Sequence, residues 1–454
     1  MASSSAWSQT VNQESIAISD TEPAAAAAAD AAPRSRWALI QPLRVRDFRL
    51  LFSGESISLL GDQFHFVALA WLTLQLTGSA VALGTVLMTT AIPRALFMLV
   101  GGAMSDRVSP RSLMFGSNAL RTVVVSIIAA LVLSGHAQLW QLYILALIFG
   151  TVDAFFHPAL NTIVPMLVSE RLLSPANALV QIMQQLSGLV GPAIAGVVVA
   201  AVNTGPAFTF DAASFAVATL TIWLVRGGRR AAPTIGHPEQ PGAAQGPTGG
   251  LLANIGAGVA YAWRDPAVRS LVLLVAAFNF AFTGPLLVGL PYLADTRFQG
   301  GAAAFGIIIS AYGAGALGGA VLAGSLRHVP RLGLVVLLTA SVMGVGLAIL
   351  GYVPTVLLAV LAMGAMGIGA GFINVRVVAW LQQRTPEAMR GRVMSLVLFG
   401  AVGLSPISLG VSGLIIDFGA VSLLFAVAGT IVVAAALAGV FAGVPSQMAD
   451  EPAE

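Results

Sequence analysis

Long apolar runs separated by short polar breaks leave this chain few possible folds. A helix needs about 20 mostly apolar residues to cross a hydrocarbon core of roughly 30 Å. Runs that meet this rule fall near 50–76, 80–104, 112–134, 139–166, 177–202 and 206–225, and again near 268–294, 302–326, 332–352, 355–383, 392–416 and 420–443. Of the 454 residues 57% are hydrophobic and 9% are charged. A soluble domain carries about 25% charged residues and has too little interior to hide so much apolar surface. Lipid is the solvent that suits such a chain.

The breaks set the organisation. Residues 1–46 are rich in Ala, Ser and Pro and read as a disordered tail. No apolar run follows a basic start there, so a cleaved signal peptide is not expected. The stretch GGRRAAPTIGHPEQPGAAQGPTGG (227–250) reads as a linker, and the apolar spacing of 251–263 as a helix lying on the membrane surface. The expected plan is an all-α membrane protein of twelve transmembrane helices in two six-helix bundles, 47–226 and 267–443. The linker (227–266) joins them, and 444–454 forms a short tail.

Arginine sets the orientation. All 22 basic residues are Arg, and nearly all sit in alternate breaks. The other breaks (TGSA, SGHAQ, NTGP, ADTRFQGG, GYVPT, IDFGA) hold Arg297 alone. Both termini and the linker are therefore expected on the cytoplasmic side of the cell membrane. Arg scattered between apolar runs does not form the solvated basic face that nucleic acid requires. Cysteine is absent, which rules out disulfides and thiolate metal sites. No Walker loop, catalytic triad, zinc helix or dinucleotide pattern is present, so no enzyme chemistry and no bound metal or cofactor are expected.

The halves echo each other. Phe156 aligns with Phe372 and Ser169 with Thr385 at one offset, and SDRVSPR (105–111) returns as SLRHVPR (325–331), with Leu326 in place of Asp106. Two parallel six-helix repeats are the organisation of a transporter that rocks one half against the other.

Several strings resemble the major facilitator superfamily. GGAMSDRVSPR is similar to its motif A, with Gly102, Asp106, Arg107 and Arg111 matching, while Ser109 stands where the family usually has a second Gly. GLVGPAIAG, with Gly188, Gly191, Pro192 and Gly196, resembles motif C of exporters. SLLGDQFHFVALAWLTLQLTGSA (58–80), FFHPA (155–159), SPANAL (174–179) and MRGRVMS (389–395) narrow the likeness to proton-coupled drug exporters related to macrolide efflux pumps and the enterobactin exporter. The resemblance spans about 45–443. It implies alternating access driven by the proton gradient, a small amphiphilic cargo, the lipid bilayer as surroundings and a monomer. Asp106 would latch onto the start of the eleventh helix, where its positive dipole end and Arg390 or Arg392 would receive it. Motif C reads either as a bend that seals an exporter against leak or as ordinary small-residue packing, the role assigned to Gly313, Gly315, Gly318 and Gly319.

Ionisable groups inside a bilayer are costly and are functional candidates by default. Glu55 and Asp62 lie in the first run, Arg94 in the second, Arg121 in the third and Asp153 in the fourth; the second half offers Arg376 beside Asn374. Asp62 lies thirteen residues past Arg49, about 20 Å along the axis and near the midplane. Burial favours the protonated carboxyl and a nearby guanidinium favours the carboxylate. A moving Arg can thus load and unload a proton, and Asp62 with Arg94 or Arg121 is the expected pair. A permanent structural ion pair is the alternative. Asp211, close to Pro206, reads as an interfacial or capping residue; His65 and His157 read as hydrogen-bonded packing residues. Gln181, Gln184 and Gln185 read as cavity lining or as inter-helix amide bonds.

The expected function is proton-driven efflux of a drug, macrolide-like antibiotic or siderophore. The competing readings are a lysophospholipid or solute transporter of the same fold, and a non-transporting membrane sensor or scaffold.

Overall fold

A computed structural model describes residues 38–105, 108–227, 260, 263–326 and 329–448. The described residues are helical throughout, and twelve helices are long and apolar enough to cross a membrane. They run as α1 Arg46–Thr77, α2 Ala80–Ser105, α3 Pro110–Leu133, α4 Leu139–Leu167, α5 Glu170–Ala201 and α6 Thr204–Leu224. The second set is α7 (Pro266–Gly284, a π-turn Pro285–Gly289, then Leu290–Arg297), α8 Gly301–Ser325, α9 Leu332–Leu350 and α10 Val356–Arg384. It ends with α11 (Glu387–Val402 and Ser405–Phe418) and α12 Val421–Phe441. Several helices are apolar on every side. Val342, Val321 and Phe399 are 71%, 65% and 68% exposed, as suits side chains facing lipid.

Local chemistry fixes the ends. Gly78 closes α1 in the left-handed conformation at φ 62°, donating its N–H to the Leu74 carbonyl at 2.7 Å. Pro110 opens α3 behind Ser109, whose side chain accepts the Ser112 N–H at 3.2 Å. Helix α5 starts seven residues before the predicted 177 because Pro175 is accommodated inside it. The expected tails are shorter than predicted. Ala38–Arg44 forms a 3-10 turn, and Val444–Gln447 forms a helical turn that buries Val444 and Met448. Most of the expected surface helix at 251–269 lies outside the described residues.

Helix α7 carries an inserted hydroxyl. The Gly284 N–H donates to Ser408 Oγ at 2.8 Å, and that hydroxyl donates to the Phe280 carbonyl at 2.6 Å. Ser408 thus bridges a donor and an acceptor that a regular helix would pair directly, just before the π-turn at Pro285.

Helices α1–α6 form one bundle and α7–α12 the other. They meet along two seams, α5 against α8 and α2 against α11. Both seams lie toward the end that carries the short connections, away from the Arg-rich end. A Cβ on Gly306 would run into the Pro192 carbonyl, one on Gly196 into that of Ala302, and one on Gly413 into that of Ala80. Phe66 packs on Phe305 at 5.7 Å between ring centres. Two hydrogen bonds cross here, Ser79 Oγ to Asp417 Oδ2 at 3.1 Å and the Ala193 N–H to Ser310 Oγ at 3.0 Å.

Candidate functional site

The polar interior of the first bundle is built around Arg121. This side chain is 1% exposed and pairs with Asp153 of α4. Phe149, Phe156 and Phe215 enclose its guanidinium, their ring centres 5.4, 4.6 and 5.4 Å away. The other Asp153 oxygen takes Arg94 Nε at 3.0 Å, and Arg94 also reaches His157 Nε2 at 3.4 Å. One buried carboxylate therefore holds two guanidinium groups. That arrangement corrects the expected pairing: Arg94 and Arg121 are committed to Asp153 and not to Asp62.

Glu55 and Asp62 are placed differently. Glu55 is 2% exposed and accepts a hydrogen bond from Asn118 Nδ2 at 3.1 Å. Asn118 sits one turn before Arg121 on the same face of α3, a spacing that could have flagged it in the sequence. Asp62 is half-buried and makes neither an ion pair nor a hydrogen bond with the described residues. Arg121, Asp211, Asp153 and His65 lie close enough in the same bundle to act on it electrostatically. It is a carboxyl held close to a charged network without a fixed partner.

Asp211 is not interfacial. It is fully buried, with Oδ2 3.0 Å from His65 Nδ1, and its Oδ1 has no partner. His65 stacks on Phe149 at 4.6 Å with 8° between planes and meets Phe208 edge-on. Counting residues from Pro206 placed Asp211 near the membrane surface. The rotation of α6 turns it inward against α1, where Gly61 leaves room.

Arg376 also departs from expectation. It donates to the carbonyls of Ala323 (2.6 Å) and Leu326, at the end of α8. It satisfies carbonyls that a helix end leaves open, a capping role and not a midplane one. Arg111 does the same for α6, donating to the carbonyls of Ile222 at 3.1 Å and Trp223 at 2.5 Å. Asp106 and Arg107 lie outside the described residues, as do the surroundings of Gly102 and the side chain of Arg392, so the latch expected of Asp106 does too. Arg390 donates to the Gln382 carbonyl at 3.1 Å.

Motif C lies on the seam. Gly191 packs against Gln63 of α1, whereas Pro192 and Gly196 face α8 of the other bundle. Gly313 approaches Gly188 and Leu189, so it belongs to this bundle interface, while Gly315 and Gly319 pack α8 on α10. On the Arg-rich side of the seam lies a cavity of about 660 Å³. Its wall comes mostly from the second bundle, with Phe278, Asn279, Tyr312 and Asn374, and Gln185 of α5 reaches it from the first. Asn279 and Tyr312 were not singled out in the sequence, where an Asn between two Phe gives no periodic signal.

Twelve helices in two bundles, with a cavity walled mostly by the second bundle and a charged network inside the first, suit a transporter of the major facilitator superfamily. The chain belongs to its transmembrane secretion effector family, whose profile matches residues 35–453. It is 24% identical over 394 residues to macrolide efflux protein A of Streptococcus pyogenes, covering 86% of this chain and 94% of that one. It is 26% identical over 349 residues to enterobactin exporter EntS of Escherichia coli, covering 77% and 80%. Among solved structures it resembles a bacterial homologue of the iron transporter ferroportin in an inward-facing state, at TM-score 0.65 and 18% identity, covering 87% of this chain and 98% of that one. The nucleoside transporter NupG matches at TM-score 0.65 and 14% identity, covering 87% and 99%. These likenesses establish the fold, and the family establishes a multi-pass membrane transporter.

Proposed function

We propose that the protein exports a small amphiphilic compound across the cell membrane by proton antiport, with the Arg-rich end and both termini in the cytoplasm. The observation that carries this reading is Asp62: a half-buried carboxyl inside a bundle, one helix away from two guanidinium groups that are bound elsewhere. A fixed ion pair would keep such a carboxylate charged throughout. A carboxyl without a partner can take and release a proton as its surroundings change.

The bundle contacts suit one state of such a cycle, and the exporting relatives support the direction. The seams join the short-loop end, and the cavity lies on the Arg-rich side. With the Arg-rich end in the cytoplasm, cargo would enter this cavity from inside. The relatives that export a macrolide or a siderophore place drug-like compounds among the cargo classes. The proton gradient is the energy source in this reading, no cofactor takes part, and the chain works as a monomer.

Inverted membrane vesicles test it. Adding a transported drug to energised vesicles should release protons from the lumen, and Asp62→Asn should abolish that release while the protein stays folded in the membrane. Absence of drug-driven proton movement with every exported compound would remove proton antiport. If Asp62→Asn left cellular export intact while deletion of the chain abolished it, Asp62 would not be the coupling group.

A further inference from the structure

The charged groups of this molecule's interior and the walls of its cavity are segregated. Among the described residues, Glu55, Asp62, Arg94, Arg121, Asp153, His157 and the His65–Asp211 pair all belong to α1–α6, while Arg376 of α10 is spent on the α8 carbonyls and does not line the cavity. Among the described residues, those that line the cavity include no Asp, Glu, Arg or His. Its polar groups are the amides of Gln185, Asn279 and Asn374 and the phenol of Tyr312. Asn279 spends its Nδ2 donor on the Val275 carbonyl at 2.9 Å, leaving Oδ1 as an acceptor. Gln185, Asn374 and the Tyr312 hydroxyl make no hydrogen bond to the described residues. The apolar side of the same wall is an aromatic stack. Phe278 lies on Phe282 at 5.3 Å with 13° between planes, and Phe282 meets Tyr312 at 5.3 Å.

We infer that the second-bundle wall of this cavity is a docking site for an uncharged, oxygen-bearing amphiphile, held by Asn279, Tyr312 and Asn374 and stacked against Phe278. The inference rests on the export reading only in taking the cargo to dock in this cavity. The physical ground is desolvation. A charged head moved from water to this wall would lose its hydration and meet no opposite charge among the described lining residues. A hydroxyl or carbonyl would exchange water for amide and phenol partners at little net cost and gain the apolar contact. A volume of about 660 Å³ is that of a drug-sized ligand site. Ionic recognition is thereby left to the first bundle, and the second selects against charge in either direction.

Three fluorescent probes of one shape separate these possibilities: 9-anthracenemethanol, 9-anthracenemethylamine and 9-anthracenecarboxylate. Binding is read at neutral pH on the full chain in nanodiscs, above the signal of protein-free nanodiscs of the same lipid. The alcohol should bind saturably, and the amine and the carboxylate should each bind at least about tenfold more weakly. Asn374→Leu and Asn279→Leu should each weaken the alcohol several-fold, up to about tenfold for one lost hydrogen bond. The chain has no cysteine, so Asn374→Cys offers a second readout that does not depend on the Leu variants folding. Its labelling by N-ethylmaleimide should be slowed by the alcohol and not by the charged probes. Equal or tighter binding of one charged probe, or an alcohol affinity unmoved by both Leu variants in folded protein, would overturn the inference. Proton release in inverted vesicles is scored separately. Antiport without the charge selectivity would leave export standing and remove this site, and selective binding without proton movement would do the reverse.

Discussion

Asp62 and Asp153 are both carboxyls inside the first bundle, and their surroundings assign them opposite consequences. Asp153 neutralises Arg121, which is 1% exposed, and also binds Arg94. Removing one partner of a buried pair strands the other charge and costs about 3–5 kcal/mol. Asp153→Asn should therefore lower the thermal unfolding temperature of the purified protein sharply. Asp62→Asn should leave that temperature nearly unchanged, because nothing is bound to the carboxyl it removes. Equal thermal shifts for the two variants would contradict the assignment. The sequence put every one of these residues at a plausible depth, since depth follows from counting along a helix. It could not say which acid meets which base. Partner choice depends on how five helices rotate about their axes, and a one-residue error in rotation moves a side chain by about 100°. Asp211 shows the same limit: counting from Pro206 gives its position along α6, and only the turn of α6 toward His65 reveals what it meets.

At the level of helices, backbone groups freed by irregularities are collected by particular side chains. Ser408 joins the Gly284 N–H to the Phe280 carbonyl across the packing of α11 on α7. Ser408→Ala would leave both groups without partners in a medium that offers no water, at about 1–3 kcal/mol. A drop in unfolding temperature is the expected measurement, with Ser408→Thr restoring part of it. Arg376 performs the same service for the end of α8, and this changes the expectation for its mutation. Arg376→Met should destabilise the protein by about 1–2 kcal/mol through loss of the carbonyl cap, yet preserve drug-driven proton release per folded molecule. Loss of coupling with unchanged stability would restore the functional role for which the sequence made it a candidate. Helix positions themselves were legible, because twenty apolar residues in a row admit little else. Helix breaks inside a run, such as the π-turn of α7 or the interruption of α11 between Val402 and Ser405, leave no mark in apolar periodicity.

For the whole molecule, the proposed alternating access makes the two seams and the cavity one member of a pair of states. The family resemblance pointed to motif C as a seal against leak, and Pro192 and Gly196 do lie where α5 meets α8 of the opposite bundle. Flat helix faces of Gly and Ala there let backbones touch, and van der Waals contact is what associates helices in lipid. What the sequence did not disclose is the polar pair of contacts flanking them. Ser79 with Asp417 and Ala193 with Ser310 come from segments 338 and 117 residues apart, and no local pattern connects such positions. If alternating access proceeds by rocking about the cavity, these contacts must part in each cycle. The absence of native cysteine makes that testable: in Ser79→Cys with Asp417→Cys, a short bifunctional methanethiosulfonate should link the 3.1 Å neighbours and hold the short-loop end shut. Export should stop on linking and return on reduction, while either single cysteine variant keeps exporting after the same treatment. Continued export by the linked double variant would mean that the bundles do not separate along α2 and α11, and the rocking axis would have to lie elsewhere.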